Sequence, residues 1–282
     1  MNIKITADST CDLSKELIAE NEIDIFPLYV SKGNDSYRDC VDIWPADIVR
    51  HVAEGGSLCS TSAVNIGDYI AKFAILSEQY DAVIHISLGS GFSSAYQNAC
   101  IAAGDFPNIY VVDSNNLSTG HGLVVMEACR LRKQGLDAEA IVAELNDVTS
   151  RVETSFLLNH LDYMVKGGRC SMVAALGANL LQLRPSIEVA DGKMKVTKKY
   201  RGSWRKCMEA YIRDRITNRD DIIRERIFYT YSETDDMDTI AFGRGLVDTL
   251  GGFEQVWQTK AGCTITCHCG PDCFGVLFIR KK

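Results

Sequence analysis

Hydroxyl-bearing residues stand at the ends of several apolar runs, where a chain entering a helix presents unpaired backbone N–H groups. Gly89-Ser-Gly-Phe-Ser-Ser94 follows the run Ala82–Ile86 and precedes Ala95-Tyr-Gln-Asn-Ala-Cys100. Its glycines admit close backbone approach, and Ser90, Ser93 and Ser94 offer hydroxyls. The helix start behind them would hold an anion without any lysine. The same serines would equally serve as a helix cap. Asp8-Ser9-Thr10 and Asp113-Ser-Asn-Asn116 occupy equivalent places after Ile3–Ala7 and Asn108–Val112, and Thr61-Ser62 lies just before a helix that Asn65 could cap. Gly-Lys-Ser/Thr is missing from the glycine loop, so it is not a Walker loop. Gly89-x-Gly91-x-x-Ser94 has two of the three glycines of the dinucleotide fingerprint, and Gly-x-Ser-x-Gly does not occur. An enzyme acting on a small phosphorylated or acyl substrate at Gly89–Ser94 would need a base, for which His85 and His121 are the nearby candidates. His85 falls inside an apolar run. Arg169, Arg201 and His268 are the ionisable residues of interest in the second half.

Eleven cysteines is an odd count, which excludes a fully paired disulfide framework within one chain. Most are scattered singly through apolar segments, as expected of small hydrophobes in a reducing compartment. Cys263-Thr-Ile-Thr-Cys-His-Cys269 with Cys273 is denser, and a metal module using Cys267, His268, Cys269 and Cys273 is one reading. The spacing is not that of two C-x2-C knuckles. Period-two alternation places Cys263, Ile265, Cys267 and Cys269 on one face, which predicts a strand over 263–269 with sulfur-bearing core residues.

The elements that must position these groups alternate between strand and helix. Strands are predicted at Ile3–Ala7, Ile23–Val30, Ala82–Ile86 and Asn108–Val112. Helices open at Ser14, Pro45, Asn65, Ala95, Ser118 and Asp137. Repeated strand–helix order implies a mostly parallel sheet covered on both faces. Beyond a soft boundary near residue 150, Glu153–Leu158 reads as a strand, Val165–Arg169 as a glycine turn and Asp191-Gly192-Lys193 as a hairpin turn. Further strands are predicted at Ile227–Tyr231, Phe253–Gln258 and Val276–Arg280, with helices near Trp204–Ile216 and Asp238–Leu250. The second half is therefore expected to be α/β with a mixed sheet.

A length of 282 residues, 46% hydrophobic and 24% charged, suits a globular protein of about two domains. The net charge of −7 without a basic block disfavours nucleic-acid binding. No run approaches the ~20 apolar residues of a membrane span, and the N-terminus lacks a basic-then-apolar signal pattern. A cytoplasmic protein without stable membrane insertion is expected.

Taken in order, Thr6-Ala-Asp8-Ser-Thr-Cys-Asp12-Leu13, Thr61-Ser62, Ser90-Gly-Phe-Ser93, Tyr96-Gln97, Val112-Asp-Ser114, Lys166-Gly-Gly-Arg169 and His268-Cys-Gly-Pro271 resemble the DegV family. That family includes the FakB fatty-acid-binding proteins, and the resemblance runs essentially end to end. It implies two α/β domains, a parallel-sheet domain over 1–150 with the carboxylate-binding loops and a mixed-sheet domain over 151–282 forming most of an acyl-chain tunnel. The lipid site would lie between and within them. It also implies a non-catalytic carrier without a cofactor or metal, which presents a bound long-chain fatty acid to a fatty acid kinase.

By motif, Thr61 and Ser93, with Ser62 and Ser94 beside them, are expected at the carboxylate. Arg169, Arg201 and His268 are expected in the surrounding polar, partner-facing network. Three places depart from the family pattern: Ala63-Val64-Asn65, Ser94-Ala95 and Asp272, whose charge is expected near His268. The energetics suit the reading, since burying about fifteen methylenes at roughly 0.8 kcal/mol each gives on the order of 12 kcal/mol before ordering costs. Candidate tunnel walls are Phe156, Leu158, Leu176, Leu180, Leu181, Ile187, Phe228 and Phe278.

Overall fold

A computed structural model describes residues 1–174 and 183–282. The first half runs β1 (Ile3–Asp8), α1 (Lys15–Glu20), β2 (Asp24–Phe26), β3 (Tyr29–Lys32), β4 (Asp35–Arg38), α2 (Pro45–Ala53), β5 (Ser60–Ser62), α3 (Ile66–Gln79), β6 (Ala82–Ser87), α4 (Ala95–Ala103), β7 (Ile109–Asp113), α5 (Ser118–Lys133) and α6 (Ala138–Arg151). The second runs β8 (Val152–Leu157), α7 (Asp162–Gly167), α8 (Ser171–Ala174), β9 (Leu183–Ala190), β10 (Lys193–Arg201), α9 (Trp204–Ile216), β11 (Arg226–Tyr231), α10 (Met237–Gly251), β12 (Gln255–Lys260), α11 (Cys263–Cys269) and β13 (Phe274–Ile279).

Strands β2-β1-β6-β7 form a parallel sheet. Both β1 and β6 are buried along their whole length, as expected when helices cover both faces of a parallel sheet. Asn65, Asp137 and Ser14 each accept a backbone N–H at the start of α3, α6 and α1, the caps that their positions predict. A six-stranded mixed sheet, β10-β9-β8-β13-β11-β12, builds the second half. The chain passes from one sheet to the other between Arg151 and Val152. Helix α5 touches β1 and β6 of the first sheet and β8 and β13 of the second. That position between two sheets explains why α5 is buried nearly all round, its polar Ser118, Thr119 and His121 included.

Three expectations are corrected. Ile23–Val30 is not one strand: Pro27 separates β2, in the parallel sheet, from β3, which joins β4 and β5 in a small antiparallel sheet. Proline removes a ladder donor, so the chain changes sheet there. Val165–Arg169 is not a free turn but the end of α7, closed by Gly168 at φ 68°. Cys263–Cys269 is not a strand but a helix packed against α2, β3 and β5. Its first N–H groups, those of Cys263 and Thr264, donate to Asp39, 224 and 225 positions away in sequence. A cap so remote leaves no mark on the local pattern, and seven residues fit either periodicity.

Candidate functional site

The aspartates of the first motif are structural. Asp8, fully buried, accepts from Tyr69 Oη, Ser87 Oγ and the Leu88 N–H. It thereby ties β1 to α3 and to the loop after β6. Asp12 accepts from Ser118 Oγ at 2.5 Å and from the Gly262 N–H at 2.8 Å. Burial pushes its carboxyl up to about 7 against those two hydrogen bonds. Both side chains are buried and spend their oxygens on hydrogen bonds that hold loops in place.

These loops surround a cavity of about 250 Å³, near the lower end of the ~300–1,000 Å³ usual for ligand pockets. Thr61 and Ser62 of β5, Ser93 and Ser94 ahead of α4, His268 of α11 and Arg169 after α7 supply its polar wall. Leu28, Leu88, Phe92, Leu117 and Ile265 supply the apolar one. Leu117, Ile265 and Cys269 also border a narrow apolar space of about 30 Å³ that reaches Phe156 and Leu277 of the second sheet. On the other side, Thr61, Arg169 and His268 border an outer cavity of about 340 Å³. One polar wall thus separates the inner cavity from an outer one.

The wall has defined hydrogen bonds. His268 Nε2 lies 2.8 Å from Thr61 Oγ1, while its Nδ1 is buried and has no partner among the described residues. Burial, and then the Arg169 cation, hold the imidazole at about 4, so it is neutral at neutral pH. A neutral imidazole carries one proton, and placing it on Nε2 avoids an orphaned buried N–H. His268 then donates to Thr61, which leaves the threonine hydroxyl hydrogen free to point elsewhere. Gly167 makes this arrangement possible: a Cβ there would lie 2.5 Å from His268 Nδ1. Arg169, exposed, donates from Nη1 to the Gly167 carbonyl at 2.7 Å. Ser93 Oγ accepts the N–H of Ala95, the first residue of α4, at 3.2 Å in a local turn, and among the described residues its own hydrogen is uncommitted.

The glycines of Gly89–Ser94 serve the protein rather than a ligand. A Cβ on Gly91 would lie 2.0 Å from the Gly192 carbonyl oxygen. The tip of the β9–β10 hairpin therefore rests on this loop. That tip is the expected two-residue turn, with Asp191 at φ 53° and Gly192 at φ 65°.

Of the predicted site residues, Thr61, Ser62, Ser93, Ser94, Arg169 and His268 are brought together. Arg201 is not: it ends β10, exposed, opposite Leu183, whereas Met194 of the cavity wall lies at the other end of that strand. His85 and His121 are fully buried. His85 Nδ1 meets Thr6 Oγ1 and His121 Nε2 meets the Ile86 carbonyl, so neither lines the Gly89–Ser94 cavity as a base. Asp272 accepts from Thr234 Oγ1 at 2.6 Å and lies 3.3 Å from His160, so its charge is engaged there rather than at His268.

The helical form of 263–269 sends Cys267 to the cluster of Cys59 and Cys263, and Cys269 to that of Cys273 and Leu28. Cys267, His268, Cys269 and Cys273 therefore do not converge as metal ligands. Phe156 lines the narrow space, and Leu158 and Ile187 belong to the same core cluster as Leu28 and Leu117. Phe228 and Phe278 pack in two other clusters. Leu176, Leu180 and Leu181 lie outside the described residues. Thr264 and Ile265 were not anticipated in the wall, because facing it required the helix that the alternation concealed.

A family model described as "Uncharacterised protein, DegV family" matches residues 2–281. A DegV domain-containing protein of Clostridium acetobutylicum is 33% identical over 286 residues, covering 99% of both chains. A solved structure described as fatty acid binding of a DegV family protein from Thermus thermophilus aligns at TM-score 0.88 with 28% identity, over 99% of this chain and 100% of that one. A stearic acid-binding protein from Eubacterium ventriosum aligns at 0.81 with 25% identity, over 99% and 98%. Among the described residues, no helix is long and apolar enough to cross a membrane.

Proposed function

The chain belongs to the DegV family, and on that premise we propose that it binds one long-chain fatty acid and presents the carboxylate to a fatty acid kinase in the cytoplasm. One observation carries the reading. Thr61 and Ser93, brought from separate elements, line a single cavity whose other walls are Leu28, Leu88, Phe92, Leu117 and Ile265. The Thermus thermophilus and Eubacterium ventriosum relatives, whose descriptions name fatty acid and stearic acid, support the ligand class.

The acyl chain extends past Leu117 and Ile265 towards Phe156 and Leu277, widening the narrow space between α5 and the second sheet. The carboxylate accepts hydrogen bonds from the hydroxyls of Thr61 and Ser93, with Ser62 and Ser94 adjacent. His268 orients the Thr61 hydroxyl, and Arg169 adds a cation at the rim. Neutral donors orient a carboxylate without neutralising it, so the oxygen keeps its nucleophilicity towards a phosphoryl group. Phosphorylation takes place from the outer cavity, which shares Thr61, Arg169 and His268. Arg201, at the end of the lysine-rich edge strand β10, belongs to the surface that meets the partner. The carrier itself performs no chemistry and needs no cofactor.

The test is extraction of lipid from purified protein, followed by mass spectrometry. One fatty acid per chain is expected. No lipid, together with no thermal stabilisation by added fatty acid, overturns the reading. Turnover of phosphate or acyl esters by the lone chain would favour an enzyme instead.

A further inference from the structure

We propose that Cys40 and Cys263 are a site of oxidative modification, closing to a disulfide between the turn after β4 and the first residue of α11. Their sulfur atoms are 3.9 Å apart although 223 positions separate them in the chain. Cys40 is exposed, Cys100 half-buried and the other nine cysteines buried, so Cys40 is the thiol an oxidant meets first. It sits at φ 57° in a turn where the N–H groups of Val41 and Asp42 both donate to the Arg38 carbonyl. Cys263 is held from below: its N–H donates to Asp39 and its thiol to the Ile43 carbonyl at 3.1 Å.

A disulfide requires an S–S distance of about 2.05 Å, so the sulfurs must approach by roughly 2 Å. The exposed turn at Cys40 can supply that movement while α11 stays in place. The Asp39, Cys40 and Cys263 ligand atoms also lie within 4.8 Å of one another, which raises the question of a metal. Both Asp39 oxygens are already taken, by Ser9 Oγ, the Cys263 and Thr264 N–H groups and Thr264 Oγ1. Two thiols without a free carboxylate favour oxidation over a metal.

The oxidant is a peroxide. The Cys40 thiolate attacks one peroxide oxygen and the O–O bond breaks. Two electrons pass to the peroxide, whose other oxygen leaves as water after taking a proton, and Cys40 becomes a sulfenic acid. The Cys263 thiol gives up its proton and its sulfur attacks that of Cys40. The S–S bond forms, the S–O bond breaks and a second water leaves. Two thiols and one hydrogen peroxide thus become one disulfide and two waters. Cys263 is followed directly by Thr264 and Ile265 in the cavity wall, so the new bond fastens the helix that carries His268.

The experiment treats the full chain with hydrogen peroxide, alkylates the remaining thiols and maps peptides by mass. The expected product is one crosslink joining the Cys40 and Cys263 peptides, lighter by two hydrogen atoms and reversed by dithiothreitol. Cys263→Ser should accumulate a sulfenic acid at Cys40 that dimedone traps, while the unsubstituted chain shows little. Cys40→Ser, at an exposed position, should give no crosslink. A crosslink mapping to Cys59–Cys267 or Cys269–Cys273 overturns the assignment. So does dimedone-labelled Cys40 in the unsubstituted chain without a crosslink, or zinc retained by the Asp39 group with the thiols unoxidised. No lipid enters these measurements, so they succeed or fail independently of the proposed function.

Discussion

Replacing Gly167 with alanine tests the link between α7 and the head-group wall. In an unencumbered helix, Gly→Ala stabilises by up to about 1 kcal/mol. Here the new Cβ falls 2.5 Å from His268 Nδ1, and the imidazole must turn. Overpacking of this kind costs about 1–3 kcal/mol. Losing the 2.8 Å bond between His268 and Thr61 removes about 1 kcal/mol more. The expected net effect is a loss of about 2 kcal/mol, measured by urea denaturation. Removing the ring by His268→Ala should reverse the sign, with Gly167→Ala now stabilising by about 1 kcal/mol. The double-mutant cycle should then show a coupling of about 3 kcal/mol. Fatty-acid affinity should fall about fivefold in the single Gly167→Ala variant, because the Thr61 hydroxyl is no longer held. If Gly167→Ala is stabilising on its own and indifferent to His268→Ala, the ring is not seated on the glycine and the reasoning fails.

Three further outcomes are expected. Thr61→Val combined with Ser93→Ala should weaken binding of a long-chain fatty acid by roughly a hundredfold in calorimetric titration, from two charge-assisted hydrogen bonds; unchanged affinity would put the carboxylate elsewhere. The depressed basicity of His268 makes the unfolded chain bind the extra proton first, so this residue's contribution to stability is present above pH 6.5. That contribution is lost as pH falls from 6.5 towards about 4, at most about 3 kcal/mol in all, and His268→Gln should flatten the unfolding free energy across that window. Gly91→Ala should destabilise by about 1–3 kcal/mol, because its Cβ would meet the Gly192 carbonyl at 2.0 Å. Proteolytic nicking at Asp191-Gly192 should rise with it, and an unaffected hairpin would show that the tip does not bear on the loop.

The parallel sheet was legible because β1 and β6 are short strands rich in isoleucine, valine and alanine that end in small polar residues, and because Ser14, Asn65 and Asp137 cap from within their own segments. The hydroxyls of Thr61 and Ser93 stand out for the same reason, each lying just ahead of a helix. What stayed hidden is non-local. Asp39 caps α11 from across the molecule, and without that cap Cys-Thr-Ile-Thr-Cys-His-Cys alternates like a strand. The roles of Gly91 and Gly167 were likewise invisible, since each is defined by the residue pressed against it, Gly192 and His268. Arg201 shows the converse: a motif position can match while the strand that carries it leads away from the cavity.

The contact between the hairpin tip and the loop ahead of α4 bears on how a guest is captured. With Gly91 seated against the Gly192 carbonyl, the loop that carries Ser93 is placed during folding, and on the proposed function the hydroxyl offered to the ligand's charged end is positioned before the ligand arrives. Little ordering is then left to oppose capture at that end. Differences in uptake speed among guests should arise where the hydrocarbon must part Leu117 from Ile265, so variants there should alter kinetics more than head-group selectivity.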